Sequence, residues 1–306
     1  MGRYILGRLL GLVFVLFAVS LITFLMTRAV PGDPFAGGER QLPEATRIAR
    51  AAKYGFDQPI LVQYARYVWS VLHGDLGVPF QSPSQTVVDL IKQTWPVTVR
   101  IGLLTIGISY PLGIALGLVA ALHRNSWIDY AVTFGSTLGM VLPNFVVAIW
   151  LILLFSVSLD WLPTGGWGTP AHIVLPVIAY SLLPTSLVAR YTRVSLLESL
   201  GADHVRTARA KGLADQRVLT WHVARNALIP FVTVMIPEIP NILTGSIFIE
   251  QIFRIPGLGR FFVTSTLTRD YPMILALVLL VAIVWGITYL FTDVLYTLLD
   301  PRIRLR

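Results

Sequence analysis

The side chains of this sequence that are best suited to binding chemistry lie in one basic segment, residues 203–230. Six cationic or ionisable side chains fall within twenty of its residues: Arg206, Arg209, Lys211, Arg217, His222 and Arg225. Asp203 is a good N-cap for a short helix, His204 to Lys211, because its carboxylate can accept hydrogen bonds from first-turn amides. Gly212 suits the position after that helix, where a left-handed backbone costs glycine nothing. Asp215 then lies in the first turn of a second helix, where a negative charge is favourable.

Three interpretations of the basic segment stay open on its residues alone. A plain loop whose cations snorkel to one membrane face needs the charges but not the helix–glycine–helix order. A site for anionic lipid would also use the charges. A docking element for a cytoplasmic partner would need a short capped helix, a fixed glycine, and small side chains that allow close approach: Thr207, Ala208 and Ala210.

Glu238 is the one acid deep inside a long apolar run, and it lies between Pro237 and Pro240. An isolated acid there costs about 2.5–3.5 kcal/mol on insertion scales, so it should face protein or water. Glu238 and the neighbouring Asn241 either line a translocation pathway or bind backbone groups that the prolines leave free. Asn144, which follows Pro143 in an earlier apolar run, has the same two possible roles: it lines a translocation pathway or binds free backbone groups. Four residues of a later loop are candidates for a tight turn: Glu250, Pro256, Gly257 and Gly259.

Composition identifies the class of protein. A mean hydropathy of +0.70 with 13% charged residues lies outside the range of water-soluble globular domains. The net charge of +8 fits a polytopic protein that keeps Lys and Arg at its cytoplasmic face, so we expect no nucleic-acid partner. The absence of cysteine excludes disulfides, thiolate zinc sites and cysteine nucleophiles. No P-loop, zincin or nucleophile-elbow motif occurs, so we expect no catalytic residue, cofactor or metal in this chain.

Uncharged or nearly uncharged runs of membrane-spanning length predict an all-α protein with six transmembrane helices. The first run is too long for a typical signal-peptide core and has no obvious cleavage pattern after it, so we interpret it as a retained span. The six predicted spans are Leu9–Thr27, Ile101–His123, Tyr130–Leu159, about His172 to Arg190, Asn226–Ile249 and Tyr271–Thr292.

The distribution of Lys and Arg in short loops predicts that both termini and the basic segment are cytoplasmic. Arginines precede the first span, follow the second and follow the sixth: Arg3, Arg8, Arg124, Arg302, Arg304 and Arg306. The loop after the fifth span disagrees, because it places three arginines on the opposite side: Arg254, Arg260 and Arg269.

Four segments follow from this topology. Residues 1–30 form the N-terminus and first span, 31–96 an external helical cap, 97–298 the core of spans 2–6 with a cytoplasmic loop at 201–225, and 299–306 a cytoplasmic tail. Residues 42–56 and 59–77 of the cap show helical periodicity with charged faces. The cap is either a packing lid or a docking surface for an external partner.

The basic segment resembles the cytoplasmic EAA loop of ABC-importer permeases, in the form found in dipeptide and oligopeptide importers. Arg206-Thr207-Ala208 fills the Glu-Ala-Ala-like triplet and Gly212 the glycine that follows it. The first two triplet letters depart from the general pattern, and so do His222 and Ala224-Arg225 further on. The peptide-importer variant, D-x-V-R-T-A-R-A-K-G-L followed by H-x-x-R-N-A-L-I-P, is matched almost letter for letter.

Further motifs along the whole chain resemble the B-type permease subunit of the same importers. They are RYILGRLL at the N-terminus, PGDP at 31–34, HGDLG at 73–77, IFRIPGLGR at 252–260, RDYP at 269–272 and DPRIR at 300–304. They occur in order from one end of the chain to the other, whereas a basic loop alone would be weak support.

The resemblance implies a type I ABC importer permease in a bacterial inner membrane, with a coupling helix that sits in a cleft of a cytoplasmic ATPase subunit. The implied partners are a homologous second permease, two ATPase subunits that bind ATP and Mg, an external solute-binding protein and the lipid bilayer. The implied coupling residues are Asp203, Arg206, Thr207, Ala208, Arg209, Ala210, Lys211, Gly212 and Leu213. Four residues of the later loop also match motif positions of the family, which implies an external gate or a receptor surface as the alternative to a tight turn: Glu250, Pro256, Gly257 and Gly259.

Two rival functions have less support in the sequence. A self-contained ion-coupled secondary transporter or channel would usually need several intramembrane carboxylates or a filter sequence, and Glu238 alone is thin support. An intramembrane enzyme would need a Ser, Asp or metal constellation within the spans, and none is visible in the sequence.

Overall fold

A computed structural model describes residues 2–30, 55–218, 223 and 235–299 of the chain. The described part contains helices and no strands, which confirms the all-α prediction. The helices are α1 Gly2–Ala29, α2 Ile60–Leu72, α3 Val87–Leu122, α4 Trp127–Val141, α5 Asn144–Leu151, α6 Ala171–Leu200, α7 Asp203–Ala210, α8 Glu238–Leu243, α9 Ile247–Ile252, α10 Gly259–Leu267 and α11 Tyr271–Leu299. A three-residue helical turn, Asp215–Arg217, follows α7.

Four of the described helices are long and apolar enough to cross a membrane. The spanning stretches are Leu6–Ala29, Val87–Leu122, Ala171–Leu200 and Tyr271–Asp293. They correspond to the predicted first, second, fourth and sixth spans. The second is longer than predicted, because the helix begins at Val87 rather than near Ile101. The predicted boundary between cap and core at 96–97 therefore falls inside one continuous helix.

The predicted third span is not one straight helix. α4 ends at Val141, and α5 continues after a bend of 102°, with π-helical turns over Ile152–Ser158. Proline lacks the amide that a helix needs and pushes the preceding residue out of the helical region. Leu142 accordingly has φ −72° and ψ 122°, and Pro143 is the N-cap of the next helix. The predicted third span, Tyr130–Leu159, therefore corresponds to a bent pair of helices.

The predicted fifth span, Asn226–Ile249, lies partly outside the described residues. Its described part consists of two short helices, α8 and α9, separated by Thr244, Gly245 and Ser246. Of the cap, residues 42–54 also lie outside the described ranges. The helical prediction for residues 59–77 is confirmed over α2.

The chain forms two compact units. The first comprises Met1–Val97 and Gly257–Ile287. Its buried core joins the start of α3 to the start of α11 through Val87, Leu90, Ile91, Leu258, Met273, Ala276 and Leu277. A second contact in this unit joins α1 to α2, where the ring of Phe24 lies 5.3 Å from that of Tyr64 and 5.9 Å from that of Tyr67.

The second unit comprises Thr98–Pro256 and Thr288–Arg306, and nearly half of the residues of α6 are buried. Two glycines one turn apart on α3 let that helix approach α6 closely. A Cβ added to Gly113 would lie 2.6 Å from side-chain carbons of Val188, and one added to Gly117 would lie 2.5 Å from the Ala189 carbonyl oxygen. Small residues four apart allow this kind of close helix contact in membranes. The pair therefore fixes α3 against α6.

Candidate functional site

The predicted coupling segment forms a two-turn helix, α7, that begins one residue earlier than the sequence indicated. Ala202 is the N-cap, with φ −74° and ψ 150°, and Asp203 is the first helical residue. The expectation that Asp203 caps the helix through its carboxylate is wrong. Its carboxylate instead lies 3.6 Å from the guanidinium of Arg206, and both side chains are exposed. An acid in the first turn still interacts favourably with the positive end of the helix.

The end of α7 has the left-handed conformation that was predicted at Gly212. The φ of Gly212 is +76°. Its amide donates to the Arg209 carbonyl at 2.9 Å, and the amide of Leu213 donates to the Ala208 carbonyl at 3.3 Å. These two bonds form a Schellman motif, which satisfies carbonyls at the end of a helix. The chain direction after α7 is therefore fixed by hydrogen bonds.

One face of α7 is buried in a cluster that we call the α7 cluster: Ala121, Leu196, Val205, Ala208, Val218 and Val223. Val205 is fully buried, and burying a valine side chain contributes about 1.5–3 kcal/mol. The Ser199 hydroxyl also donates to the Val223 carbonyl at 3.2 Å. A helix of two turns is not stable alone in water. Its contacts with the ends of α3 and α6 hold α7 in place.

The opposite face of α7 is exposed and predominantly charged. The exposed residues are Asp203, Arg206, Thr207, Arg209, Ala210, Lys211 and Gly212. Ala208 is only 4% exposed, so its small size serves packing against the α7 cluster. The small side chains that a partner would meet are those of Thr207 and Ala210. The surface that a partner could approach closely therefore comprises Thr207 and Ala210 without Ala208, and cationic side chains surround it.

A buried ion pair lies behind α7, between the first turn of α4 and the last third of α6. Arg193 binds both carboxylate oxygens of Asp129, with Nε to Oδ1 at 2.5 Å and Nη2 to Oδ2 at 2.8 Å. The Asn125 amide donates to the same carboxylate at 3.0 Å. Asp129 is 1% exposed. Arg193 therefore holds α6 to α4 rather than extending freely towards the membrane surface.

Glu238 lies at the first turn of α8 and is half-buried. Its Oε2 accepts a hydrogen bond from Asn241 Nδ2 at 3.2 Å. Two tyrosines that the sequence interpretation missed bind the same region. Tyr110 donates to the Met235 carbonyl at 2.7 Å, and Tyr180 donates to the Asn241 carbonyl at 3.1 Å. The sequence carries one signal for these two contacts, because a tyrosine within a membrane span needs a hydrogen-bond partner for its hydroxyl.

Asn144 does not lie in this group. It is the first residue of α5, and its Nδ2 lies 3.5 Å from the hydroxyl of Ser246, which caps α9 by accepting from the Ile249 amide. The ring of Phe145 lies 5.5 Å from that of Phe248 beside this bond. Asn144 therefore joins α5 to α9, close to the bend that Pro143 produces.

The four candidate residues of the predicted external loop have different environments. Glu250 is 3% exposed, and its Oε1 accepts from the Thr98 hydroxyl at 2.8 Å. Glu250 therefore stabilises its end of the loop through a buried hydrogen bond in the second unit. Pro256 is half-buried, and Gly257 and Gly259 are buried. Within the described part of this loop, the left-handed residues are Arg254 and Arg269 rather than either glycine.

The RDYP motif ties two segments of the first unit together. Asp270 directly precedes α11, is 3% exposed, and its Oδ2 accepts from the Gln81 amide at 3.2 Å. Burial raises the pKa of the Asp270 carboxyl, and nearby backbone amides partly offset this effect. A raised pKa in the folded state means that stability is greatest at low pH and is lost as the carboxyl ionises.

We therefore expect the folded state to lose stability as the pH rises from about 4 through the raised pKa of Asp270. Asp270→Asn keeps an acceptor oxygen and removes the buried charge, so its melting temperature should vary less over that range. Thermal unfolding of both proteins between pH 4 and 8 measures the effect. Asp75→Asn, which changes an exposed acid of the same unit, is the control. An unchanged pH profile in the Asp270 variant would contradict the assignment.

Comparison with known proteins gives a consistent result along the chain. The family of the binding-protein-dependent transport system inner membrane component matches residues 113–305, and the N-terminal component of such transport systems matches residues 1–102. The dipeptide transport system permease protein DppB of Bacillus subtilis is 39% identical over 100% of this chain and 99% of its own length. The oligopeptide transport system permease protein OppB of Salmonella typhimurium is 40% identical over 99% of this chain and 100% of its own length.

The fold is similar to a solved transporter structure. A chain from inward-facing conformations of the MetNI methionine ABC transporter aligns with a TM-score of 0.51 and 17% sequence identity. The alignment covers 70% of this chain and 96% of that one. At this identity, the likeness supports the fold alone.

Proposed function

The chain belongs to the family of binding-protein-dependent transport system inner membrane components, and we propose that it forms part of the translocation pathway of a peptide-importing ABC transporter. As a permease of this family, it is a multi-pass membrane protein and carries no catalytic function of its own. The full-length similarity to dipeptide and oligopeptide permeases carries the proposal. A second homologous permease, two ATPase subunits that bind ATP and Mg, and an external solute-binding protein complete the transporter.

The proposed orientation places both termini and α7 in the cytoplasm, and α2 on the external side, packed against the outer part of α1. The arginines of the short loops support this orientation, with the exception of the loop after the predicted fifth span. The proposed coupling residues are 203 and 206–213. The exposed face of α7 would enter a cleft of an ATPase subunit, while its buried face transmits the motion to the ends of α3 and α6.

Coupling of this kind requires that α7 move as one body with the helices behind it. The α7 cluster and the Asp129–Arg193 pair provide such connections. Binding and hydrolysis of ATP would then bias the permease between inward- and outward-open states through differential contacts. The proposed pathway residues are Glu238, Asn241 and Asn144, and the proposed external gate residues are Glu250, Pro256, Gly257 and Gly259.

Reconstitution of the complete transporter tests the function. Proteoliposomes that contain the four membrane-associated subunits should take up labelled di- or oligopeptide only when the binding protein is outside and ATP is inside. A self-contained ion-coupled transporter would instead accumulate solute from an ion gradient, with this chain alone and without ATP. Uptake under that second condition would overturn the proposal.

We expect Glu238→Ala to change peptide uptake more than assembly of the transporter. The substitution removes a charge and the acceptor of the Asn241 hydrogen bond. Hydrogen bonds to charged groups contribute about 1.5–3 kcal/mol, so a lost contact with substrate would raise KM about tenfold or more. Uptake kinetics and size-exclusion profiles of the same preparation separate the two effects.

Glu198→Ala is the matched control for this experiment, because Glu198 is an exposed acid of α6. It should leave KM unchanged. Wild-type uptake kinetics in Glu238→Ala would show that Glu238 has a purely structural role beside Pro237 and Pro240.

A further inference from the structure

The first unit contains a cavity of about 190 Å³ beside the end of α1. Its lining comes from α1, α2, the turn after α2 and the start of α11. Such a volume is below the roughly 300–1,000 Å³ of pockets for drug-sized ligands, so it suits one compact chemical group. A whole peptide substrate would not fit.

Three charged side chains line this cavity, Arg28, Arg66 and Asp75, and within the described part of the chain Arg28 is the one whose buried donors lack partners. The face of its guanidinium lies over aromatic rings, with the carbon Cζ 3.8 Å from the centre of Phe56 and 5.0 Å from that of Phe24. Among the described residues, neither Nε nor Nη1 of Arg28 has a hydrogen-bond partner, and both atoms are buried. Leaving a buried donor without a partner costs about 1–3 kcal/mol, and more when it is charged. The in-plane donors of Arg28 are therefore suited to an anion that the structure does not contain.

Two further polar atoms of the lining lack partners within the described ranges. They are the hydroxyl of Tyr67 and Oε1 of Gln63, both buried. Both donors of the Gln63 amide nitrogen are used, since it donates to the Gln58 carbonyl at 2.7 Å and to the Phe56 carbonyl at 3.3 Å. Gln63 can therefore only accept a hydrogen bond here. The cavity as a whole requires a ligand with acceptor oxygens for Arg28 and Tyr67 and a donor for Gln63.

α2 lies alongside the membrane-spanning part of α1. The Ser20 hydroxyl is 2.8 Å from that of Tyr64, and Ser20 lies nine residues before the end of the span at Ala29. At 1.5 Å per residue, this contact lies about 13 Å within the span. Three large apolar side chains of α2 are exposed: Leu61 is 78%, Trp69 67% and Leu72 74% exposed. An apolar helix face at this depth meets lipid.

We propose that this cavity holds the phosphate headgroup of a membrane phospholipid whose acyl chains lie along α1 and α2. A phosphodiester offers the acceptor oxygens that Arg28 and Tyr67 require, and Arg favours phosphate through directional, charge-assisted hydrogen bonds. A hydroxyl or ammonium of the headgroup supplies the donor for Gln63, and Asp75 in the lining favours an ammonium. The site is independent of the coupling and pathway residues.

Lipid binding to the purified transporter complex in nanodiscs tests this proposal. Phosphatidylethanolamine and phosphatidylglycerol should remain bound in native mass spectra, and phosphatidylcholine, which has no donor in its headgroup, should bind more weakly. Arg28→Gln should reduce retention at least about tenfold, since it removes a charge-assisted contact. Arg124→Gln removes an exposed arginine elsewhere and should leave retention unchanged.

Tyr67→Phe tests the same site with a substitution that should leave folding intact, in case Arg28→Gln does not fold. The Tyr67 hydroxyl has no hydrogen-bond partner in the described part of the chain, so its removal should not impair folding. It should reduce lipid retention about two- to tenfold. Three results would overturn the proposal: unchanged retention in both variants, equal occupancy by inorganic phosphate, or a rise in peptide KM without any change in lipid binding.

Discussion

Gly212→Pro should abolish peptide-stimulated ATP hydrolysis and uptake while leaving the chain inserted in the membrane. Proline fixes φ near −65°, whereas Gly212 has φ +76°, and proline also removes the amide that donates to the Arg209 carbonyl. Proline cannot adopt this φ, and the lost hydrogen bond alone costs about 0.5–1.5 kcal/mol. Stimulated ATPase activity of the reconstituted transporter measures the effect directly.

A graded series at Gly212 separates backbone conformation from side-chain contact. No atom of the described residues lies within 4 Å of a Cβ at this position, so substitutions act through the backbone rather than through side-chain contacts. Asparagine tolerates the left-handed region, and alanine there costs about 1–2 kcal/mol, so activity should fall in the order Gly, Asn, Ala, Pro. Gly74→Pro is the control, because Gly74 has φ +78° and equally open space but lies in the first unit. Normal stimulated activity in Gly212→Pro would refute the coupling assignment.

Arg193→Gln should destabilise the protein strongly and weaken coupling at the same time. Removing one partner of a buried ion pair leaves an uncompensated charge and costs about 3–5 kcal/mol. The side chain of Arg193 is 25% exposed and that of Asp129 2%, so we expect the lower end, about 3 kcal/mol. Unfolding in detergent and peptide-stimulated ATPase activity report the two consequences.

The neutral double variant Asp129→Asn, Arg193→Gln distinguishes the charge from the contact. It removes both charges and should be more stable than Arg193→Gln alone, because no isolated carboxylate is then buried. Arg190→Gln is the matched control on the same helix, since Arg190 is exposed and meets the sulfur of Met140 at 3.9 Å. A double variant that is no more stable than Arg193→Gln would contradict this account of the pair.

The features that local chemistry determines could be predicted from the sequence. Long apolar runs predicted the spanning helices α1, α3, α6 and α11, because an apolar stretch of sufficient length has few other stable environments. Gly212 was predicted to be left-handed because the residues before it favour a helix and glycine alone adopts that backbone without strain. The bend at Pro143 was also visible in principle, since a proline breaks an apolar run wherever it removes an amide.

The features that depend on contacts between distant segments could not be predicted in the same way. Ala208 is turned towards the α7 cluster rather than outwards, and only the position of the helix decides this. Arg193 has the sequence environment of a snorkelling cation, while its partner, Asp129, lies 64 residues earlier. The sequence does carry one local signal there, because Ser126 and Asp129 have the spacing of a capping box.

The separation of Asp129 from Arg193 also has a consequence for biosynthesis. Chains are synthesised at about 5–20 residues per second, so the 64 residues between the partners take roughly 3–13 s to appear. Helices form in about a microsecond, so α4 exists for seconds before the cation that neutralises its buried aspartate. During that interval the aspartate is stable only in contact with water. We therefore expect α4 to reach its final depth only after α6 has entered the bilayer.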